Sequence, residues 1–347
     1  MRVAIIGAGL AGLSCAHILN RYASDLIVYE GSDTIHGGAS GNPIGLVNPR
    51  ISAFRSSESD YYTSSFALAV RKFDSIAENI DWHKCGELHL IADEKKEKRF
   101  VQSLENWNWP EENKRVVTAE DASDIASVHI PHQALYLPDS GFLDPRKLCA
   151  YYAQGIDVRL SAPVENIKDI DADIIILACG NGVKSFDETS WLPVQSVRGQ
   201  ITQVKETPES AKLKCNLNYG GYCTPSLNGV NTVGATFQRW LDHDDTLPED
   251  DIENIEKLSA AVPQLAKGMQ PCSSRASLRC ASKDYFPIVG QVEQGSNIYV
   301  SAAHGSHGII SSLAAAHLLT DMILDRPRSQ SKITINALSP QRFRDVS

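Results

Sequence analysis

The chain opens with an apolar run, Val3–Ile6, that meets glycine too soon to be a helix, and the next six residues, GAGLAG at 7–12, have the spacing G-x-G-x-x-G. LAGLSCAHILNRYA then places Leu10, Leu13, Ala16 (or His17) and Leu19–Asn20 at helical spacing, and DLIVYE at 25–30 is a second β-rich run ending in an acid. This order predicts a βαβ unit, and no other feature restricts the fold as much. In such a unit Gly7 allows a tight turn, Gly9 lets the backbone approach a pyrophosphate, and Gly12 lets the helix pack closely on the strand. The free N–H groups and positive dipole end of the helix face the phosphates. Glu30 stands 18 residues after Gly12, where a carboxylate accepts from ribose hydroxyls. A glycine motif alone is weak, but one that follows a strand, opens a helix and has its acid in place marks a dinucleotide site. The motif does not separate NAD from FAD.

At 347 residues the chain has the length of about two domains. It is 42% hydrophobic and 22% charged, the balance of a globular protein that buries enough apolar surface to need no disulfide or metal staple. Lys and Arg number 33 against 42 Asp and Glu, a net charge of −9, which excludes a surface basic all over but not a local basic patch. The eight cysteines, at 15, 85, 149, 179, 215, 223, 272 and 280, lie no closer than eight residues apart, so no zinc spacing exists and no metal is expected. Reduced thiols used as small core residues are the expectation. Arg2 and the apolar stretch to Ala16 mimic a signal peptide, but the glycine spacing and the acid fit a nucleotide fold better. No apolar run approaches the roughly 20 residues of a membrane span. A cytoplasmic location follows as an expectation.

Further along, residues 57–80 have an amphipathic helical pattern, GELHLIAD at 86–93 alternates like a half-buried strand, and a charged, solvated helix is expected over about 93–106. Asp144 followed by Pro145 is a strong helix start. VRLSAPVENI and ADIIILACGNG are expected strands, the second almost wholly apolar and so central in a parallel sheet. From about 197 hairpins dominate, with Asn228-Gly229 as a turn, followed by a capped acidic helix at about 249–262. Strands at SLRCAS, FPIVGQV and NIYVSAA lead into a long helix over about 306–324. The expected class is α/β, a Rossmann-like domain with an antiparallel-sheet substrate domain inserted. The expected boundaries are 1–84, 141–194 and 279–347 for the first and 85–140 and 195–278 for the second.

Three segments resemble the D-amino-acid-oxidase-like flavoproteins. GGASGNPIG (37–45) is similar to the loop they lay along FAD, which implies contacts from Ala39, Ser40, Asn42 and Gly45. ADIIILACGNG (172–182) resembles their later strand-to-glycine segment near the adenosine, which implies Gly180. AAHGSHGII (302–310) resembles their last flavin loop, which implies Gly305, Ser306, His307 and Gly308, with backbone N–H groups at the pyrimidine edge and a helix dipole favouring reduced flavin. FAD, held noncovalently, is therefore expected over NAD. Covalent attachment at Cys280 or His36 is the alternative, and His304 and His307 are either acid/base groups or packed against backbone. His83, His89, His129 and His132 show no ligand spacing and receive no role.

The ordered combination of GASGNPIGLVNPR, CGELHLIADEKKEKR, LPDSGFLDPRKLC, VRGQI, GGYCTPSLNGVNTVGATF, LRCASKDYFPIVG and GSHGIISS resembles, across 38–312, the oxidoreductase domain of the MnmC family of bifunctional tRNA 5-methylaminomethyl-2-thiouridine biosynthesis proteins. The resemblance implies oxidation of the carboxymethylaminomethyl group on the wobble uridine of tRNA. The flavin N5 takes a hydride from the CH2 beside nitrogen, and water hydrolyses the imine to glyoxylate and aminomethyluridine. The amine must be neutral and its carboxylate fixed. Arg279 occupies the place of the carboxylate-binding arginine of similar glycine-type oxidases, with an ion pair to Asp284 as the bland alternative and Arg198 and Arg239 as substitutes. Tyr222 lines the pocket or is simply a buried strand tyrosine, and Arg50 and Arg55 face either flavin or RNA phosphates. The chain departs from the family in having His307 where an arginine is expected, and in starting its fingerprint at residue 3 without a preceding methyltransferase domain. A separate tRNA methyltransferase, or a pathway that stops at the aminomethyl product, is therefore expected. Two other readings compete: an oxidase of free glycine, sarcosine or a similar small amine, and a flavin-holding subunit without turnover.

Overall fold

The computed structural model describes residues 1–107 and 109–344. Its first strand, Arg2–Ile6, lies inside a six-stranded sheet in the order Ile288–Gln291, Ile298–Ala302, Ile174–Leu177, Arg2–Ile6, Asp25–Tyr29, Asp157–Arg159. All neighbours run parallel except the edge pair Ile288–Gln291 and Ile298–Ala302. Ile5 stands opposite Val28 on one side and Ile176 on the other, all three fully buried, which is why these strands are apolar on both faces. The expected central place of the 174–177 strand is observed, whereas the 158–167 segment is strand only over Asp157–Arg159 before it turns at Ser161 and Pro163.

The helix Leu10–Leu19 is apolar all round because it is covered twice, by the sheet and by the C-terminal helix Gly308–Ile323. The two helices also meet through Ser14 and Ser312, whose hydroxyls are 3.2 Å apart. The helix Ser57–Ser75 packs on Gly308–Ile323 in turn, and the buried Tyr61 hydroxyl donates to the Ser311 carbonyl at 2.8 Å. Asp144 caps the helix Pro145–Tyr152 through the Arg146 N–H, as its sequence predicts.

A second sheet has eight strands in the order Pro271–Ser282, Val194–Lys205, Val230–Gly234, Tyr222–Cys223, Asn216–Asn218, Glu87–Leu90, Ala134–Leu137, Arg115–Val117. Only Asn216–Asn218 and Glu87–Leu90 are parallel. Asn228 and Gly229, at φ +54° and +82°, make the tight hairpin turn between Leu227 and Val230. The helix Pro248–Ala261 covers this sheet without a side-chain cap, a correction to the capped helix expected. Its first-turn acids are used otherwise. Asp250 pairs with the fully buried Arg198, which also donates to Gln238 and Gln200, and Asp251 accepts from Gln200, Thr202 and Ser274. Arg198 is thus neutralised inside the core and is not available to a ligand, which removes it as a substitute for Arg279. Asp250→Ala leaves that guanidinium buried without its anion, and urea unfolding should report a loss of about 3–5 kcal/mol. A loss typical of an exposed pair, about 1 kcal/mol or less, would contradict this role.

Candidate active site

At the carboxyl end of the first strand the chain turns through Gly7 at φ +108°, and a Cβ there would lie 2.7 Å from the Ala178 carbonyl oxygen. A Cβ on Gly12 would overlap the Gly7 carbonyl oxygen, so the helix can begin this close to the turn only with glycine. Gly9 is the helix N-cap and offers no side chain, and the first-turn Leu10 N–H donates to Ser40 Oγ at 3.0 Å. The Glu30 carboxylate accepts from the Ala8 N–H at 2.7 Å and from the Ser32 N–H and hydroxyl at 3.0 Å each. It therefore ties the end of the second strand to the glycine turn while also facing the cavity. These glycines leave room where side chains would intrude, beside a helix start with free N–H groups, and such a cradle fits a pyrophosphate.

A single cavity of about 880 Å³ runs from this cradle to the second sheet. It is lined by Gly7, Gly9 and Glu30 at one end, then Ala39, Ser40, Asn42 and Gly45, then Gly180, and then Gly305, Ser306, His307 and Gly308. Tyr222 and Arg279 line it too. Of the glycines expected at the cofactor, Gly12 alone does not, in keeping with its packing role. Arg275, which the sequence did not mark, fastens the 37–42 loop by donating to Asn42 Oδ1 and the Gly38 carbonyl, both at 2.7 Å.

Arg279 projects from the long strand Pro271–Ser282, and a Cβ on Gly199 of the adjacent strand would overlap its guanidinium. Its one hydrogen bond runs to the Thr236 carbonyl at 3.4 Å, and it has no acidic partner among the described residues. The expected alternative, an ion pair with Asp284, is not formed, because Asp284 is held by Arg342 at 2.8 Å. Burial lowers the Arg279 pKa from its ordinary value, and nearby Tyr222 only partly opposes this. Burial likewise pushes the Tyr222 hydroxyl up to about 12, so it is a proton donor at neutral pH.

His304 is held by hydroxyls rather than by backbone, with Nδ1 2.8 Å from Ser311 Oγ and Nε2 3.1 Å from Ser301 Oγ. The His307 ring lies 5.0 Å from that of Tyr62. Burial lowers both imidazoles to about 4, so both are neutral at pH 7. The Cys280 thiol, pushed up to about 12 by burial, stays protonated.

A second cavity of about 240 Å³ shares Arg279, Phe237 and the 303–307 loop with the first. Arg50 and Arg239 line it, Arg50 5.4 Å from the Tyr62 ring centre and Arg239 4.9 Å from that of Tyr285. Phe237 and its neighbour Trp240 are 45% and 75% exposed. Arg55 lies outside, paired with Asp60 at 3.0 Å. The sequence also missed a buried group, Glu87 with Asn48, Asn218 and His89, although alternation along GELHL places Glu87 and His89 on one strand face. Among the described residues no cluster of His, Cys, Asp or Glu can hold a metal, and no helix is long and apolar enough to cross a membrane.

The family model described as FAD dependent oxidoreductase (DAO) matches residues 2–322. Among curated relatives, the tRNA 5-methylaminomethyl-2-thiouridine biosynthesis bifunctional protein MnmC of Legionella pneumophila (strain Corby) is 28% identical, aligned over 98% of this chain and 56% of that protein. The protein of the same name from Hahella chejuensis (strain KCTC 2396) is 29% identical, over 98% and 59%. The chain thus spans less than two thirds of the length of the curated relatives it matches. Among solved structures, glycine oxidase from Geobacillus kaustophilus superposes with a TM-score of 0.85 at 18% identity, covering 98% of both chains. L-proline dehydrogenase from P. horikoshii gives 0.83 at 17%, covering 99% of this chain and 97% of the other. The likeness in fold is to two-domain flavoproteins. Gly9→Val, at the helix start on the cavity wall where a Cβ would stand 3.2 Å from Ser40 Oγ, should fold yet retain no flavin after gel filtration, read as the ratio of visible to ultraviolet absorbance; a wild-type ratio would contradict the cradle.

Proposed function

The chain belongs to the FAD-dependent oxidoreductase family, its cofactor is FAD, and on that premise we propose that it oxidises the carboxymethylaminomethyl group on the wobble uridine of tRNA. The observation that carries this reading is Arg279, a cation facing the cavity with no carboxylate of its own. A guanidinium enclosed in this way is incomplete until an anion joins it, and its planar fork matches the two oxygens of a carboxylate. The substrate arm ends in N–CH2–COO⁻ and supplies that anion.

FAD held along the cavity from Gly7, Gly9 and Glu30 to the 305–308 loop would supply the two-electron acceptor for the methylene beside nitrogen, and with loss of the amine proton and addition of water the products would be glyoxylate and a primary amine. Arg279 holds the carboxylate and so fixes which C–H is presented. Tyr222, protonated at neutral pH, donates to the same anion. His304 and His307 remain neutral, so they add no charge that would oppose the cation-like carbon next to nitrogen. The N-terminus of Gly308–Ile323 brings a positive dipole end and free N–H groups to the 305–308 loop.

Two observations support tRNA rather than a free amine. The relatives bear a tRNA modification name across almost all of this chain. In addition, Arg50 and Arg239 line the second cavity with the exposed Phe237, a set suited to phosphate and to a base turned out of its stack, with Arg50 also 3.4 Å from Glu58 and Asp244 lining the main cavity. The free-amine reading uses the same Arg279 and fits the net charge of −9.

Anaerobic mixing with carboxymethylaminomethyl-containing tRNA should bleach the flavin, with glyoxylate and aminomethyluridine found by mass analysis. Unchanged tRNA together with bleaching by sarcosine would instead establish the free-amine reading. Arg279→Ala should lower kcat/KM by roughly tenfold to a hundredfold, since a hydrogen bond to a charged group contributes about 1.5–3 kcal/mol; an unchanged value removes it from the site. Arg239→Ala should raise KM for tRNA several-fold at low salt, with the difference from the wild type shrinking as salt increases, and leave the rate with the free nucleoside unaltered. Equal effects on both substrates would argue against a phosphate contact.

A further inference from the structure

We propose that Glu87 is a positioning residue that turns the amide oxygens of Asn48 and Asn218 into the cavity, where they form an acceptor pair selecting substrates that carry an N–H. The inference rests on the reading of the cavity as a site for N-substituted glycines and adds to it the group that recognises the nitrogen.

The Glu87 side chain has no exposed area. It accepts from Asn48 Nδ2 at 2.9 and 3.0 Å and from Asn218 Nδ2 at 3.1 Å, and His89 Nε2 lies 3.0 Å away. Burial alone would push its carboxyl up, but His89 and the two amides outweigh burial and hold it below its ordinary value, so the group is ionised at neutral pH. An ionised carboxylate only accepts. The end of each amide that faces it is therefore the NH2, and the oxygen is directed away. Among the described residues no donor reaches either oxygen, and both asparagines line the main cavity.

The position of the pair relative to Arg279 gives it a chemical meaning. Asn218 stands opposite Tyr222 across two strands, and Tyr222 is close enough to Arg279 to respond to its charge. His307 of the 305–308 loop lines the same cavity as Asn48 and Asn218. Donor and acceptors thus share one end of the cavity, as the carboxylate and amine of a glycine unit share one short chain. Arg279 binds the anion, and the amide oxygens receive the N–H. Fixing that hydrogen sets the rotation about the N–CH2 bond, and with it the alignment of the nitrogen lone pair with the C–H that leaves. An ether in place of the amine would remove the one N–H that the two acceptors share and set its lone pairs against them, which weakens binding by about tenfold to a hundredfold.

The test uses flavin-loaded protein, with affinity read for the oxidisable amines from the concentration dependence of anaerobic flavin bleaching and for the ethers from the change in flavin absorbance on binding. Two ligand pairs replace NH by O, with the affinity of each amine referred to its neutral form from a pH series: 5-carboxymethylaminomethyluridine and its ether analogue, and N-methylglycine and methoxyacetate. The wild type should bind the amine at least tenfold more tightly than the ether. Glu87→Gln, whose amide no longer dictates how its neighbours turn, and Asn218→Leu should both compress that ratio to about threefold or less while changing ether affinity little, because Arg279 is intact. For the amine, KM and kcat should both suffer in the variants, since a misaligned nitrogen also reacts slowly. Flavin content and circular dichroism show whether each variant is folded, and Asn218→Leu stands in if Glu87→Gln is not. A ratio unchanged in the folded variants, or equal loss of both ligands, overturns the inference and leaves the N-substituted glycine reading standing. If no ligand perturbs the wild-type flavin, that reading fails and the inference fails with it.

Discussion

An arginine enclosed in protein without an acid is half of an ion pair, and Arg279 is the half around which the cavity is arranged. Gly199 clears the space for its guanidinium, the Thr236 carbonyl takes one weak hydrogen bond, and the nearest acid in sequence, Asp284, is committed to Arg342. Contrast Arg198, one strand over, which is fully buried, whereas Arg279 is half-buried at the cavity wall, and which carries Asp250, Gln238 and Gln200 with it. On the proposed reading a ligand carboxylate completes the first, whereas the second is completed from within. A folded chain tolerates a solitary cation where a ligand supplies the missing charge, because the desolvation is then shared with the bound anion.

The two sheets divide the labour. The parallel sheet ends in a glycine turn held to Glu30, a cradle that fits a diphosphate at the carboxyl ends of its strands. The antiparallel sheet brings Tyr222, Asn218 and Arg279 to the far end of the same cavity on three different strands. Arg275 links them, reaching from the second sheet to the loop that lies along the cofactor side. Strain in either sheet would therefore move cofactor and substrate groups relative to each other.

What the sequence could show was whatever chemistry is local. The glycine turn, its acid, the Asp144-Pro145 helix start and the Asn228-Gly229 turn are contiguous, and each is found where the residues place it. The cofactor family was legible because its loops keep short signatures. The polar core was not, because its partners are distant: Arg198 meets Asp250 across 52 residues, Glu87 meets Asn48 across 39 and Asn218 across 131. No periodicity reports such pairs. They also explain why Arg198 and Arg279, alike in sequence as strand arginines, have opposite fates.

The central claim is that the cavity supplies a cation and waits for a carboxylate. Its most direct test is the affinity of the flavin-loaded protein for an N-substituted glycine against the corresponding neutral glycinamide, read from flavin absorbance. The account predicts that the acid binds at least tenfold more tightly in the wild type, with the preference lost when Arg279 is replaced by methionine. Equal affinity for acid and amide in the wild type would contradict it.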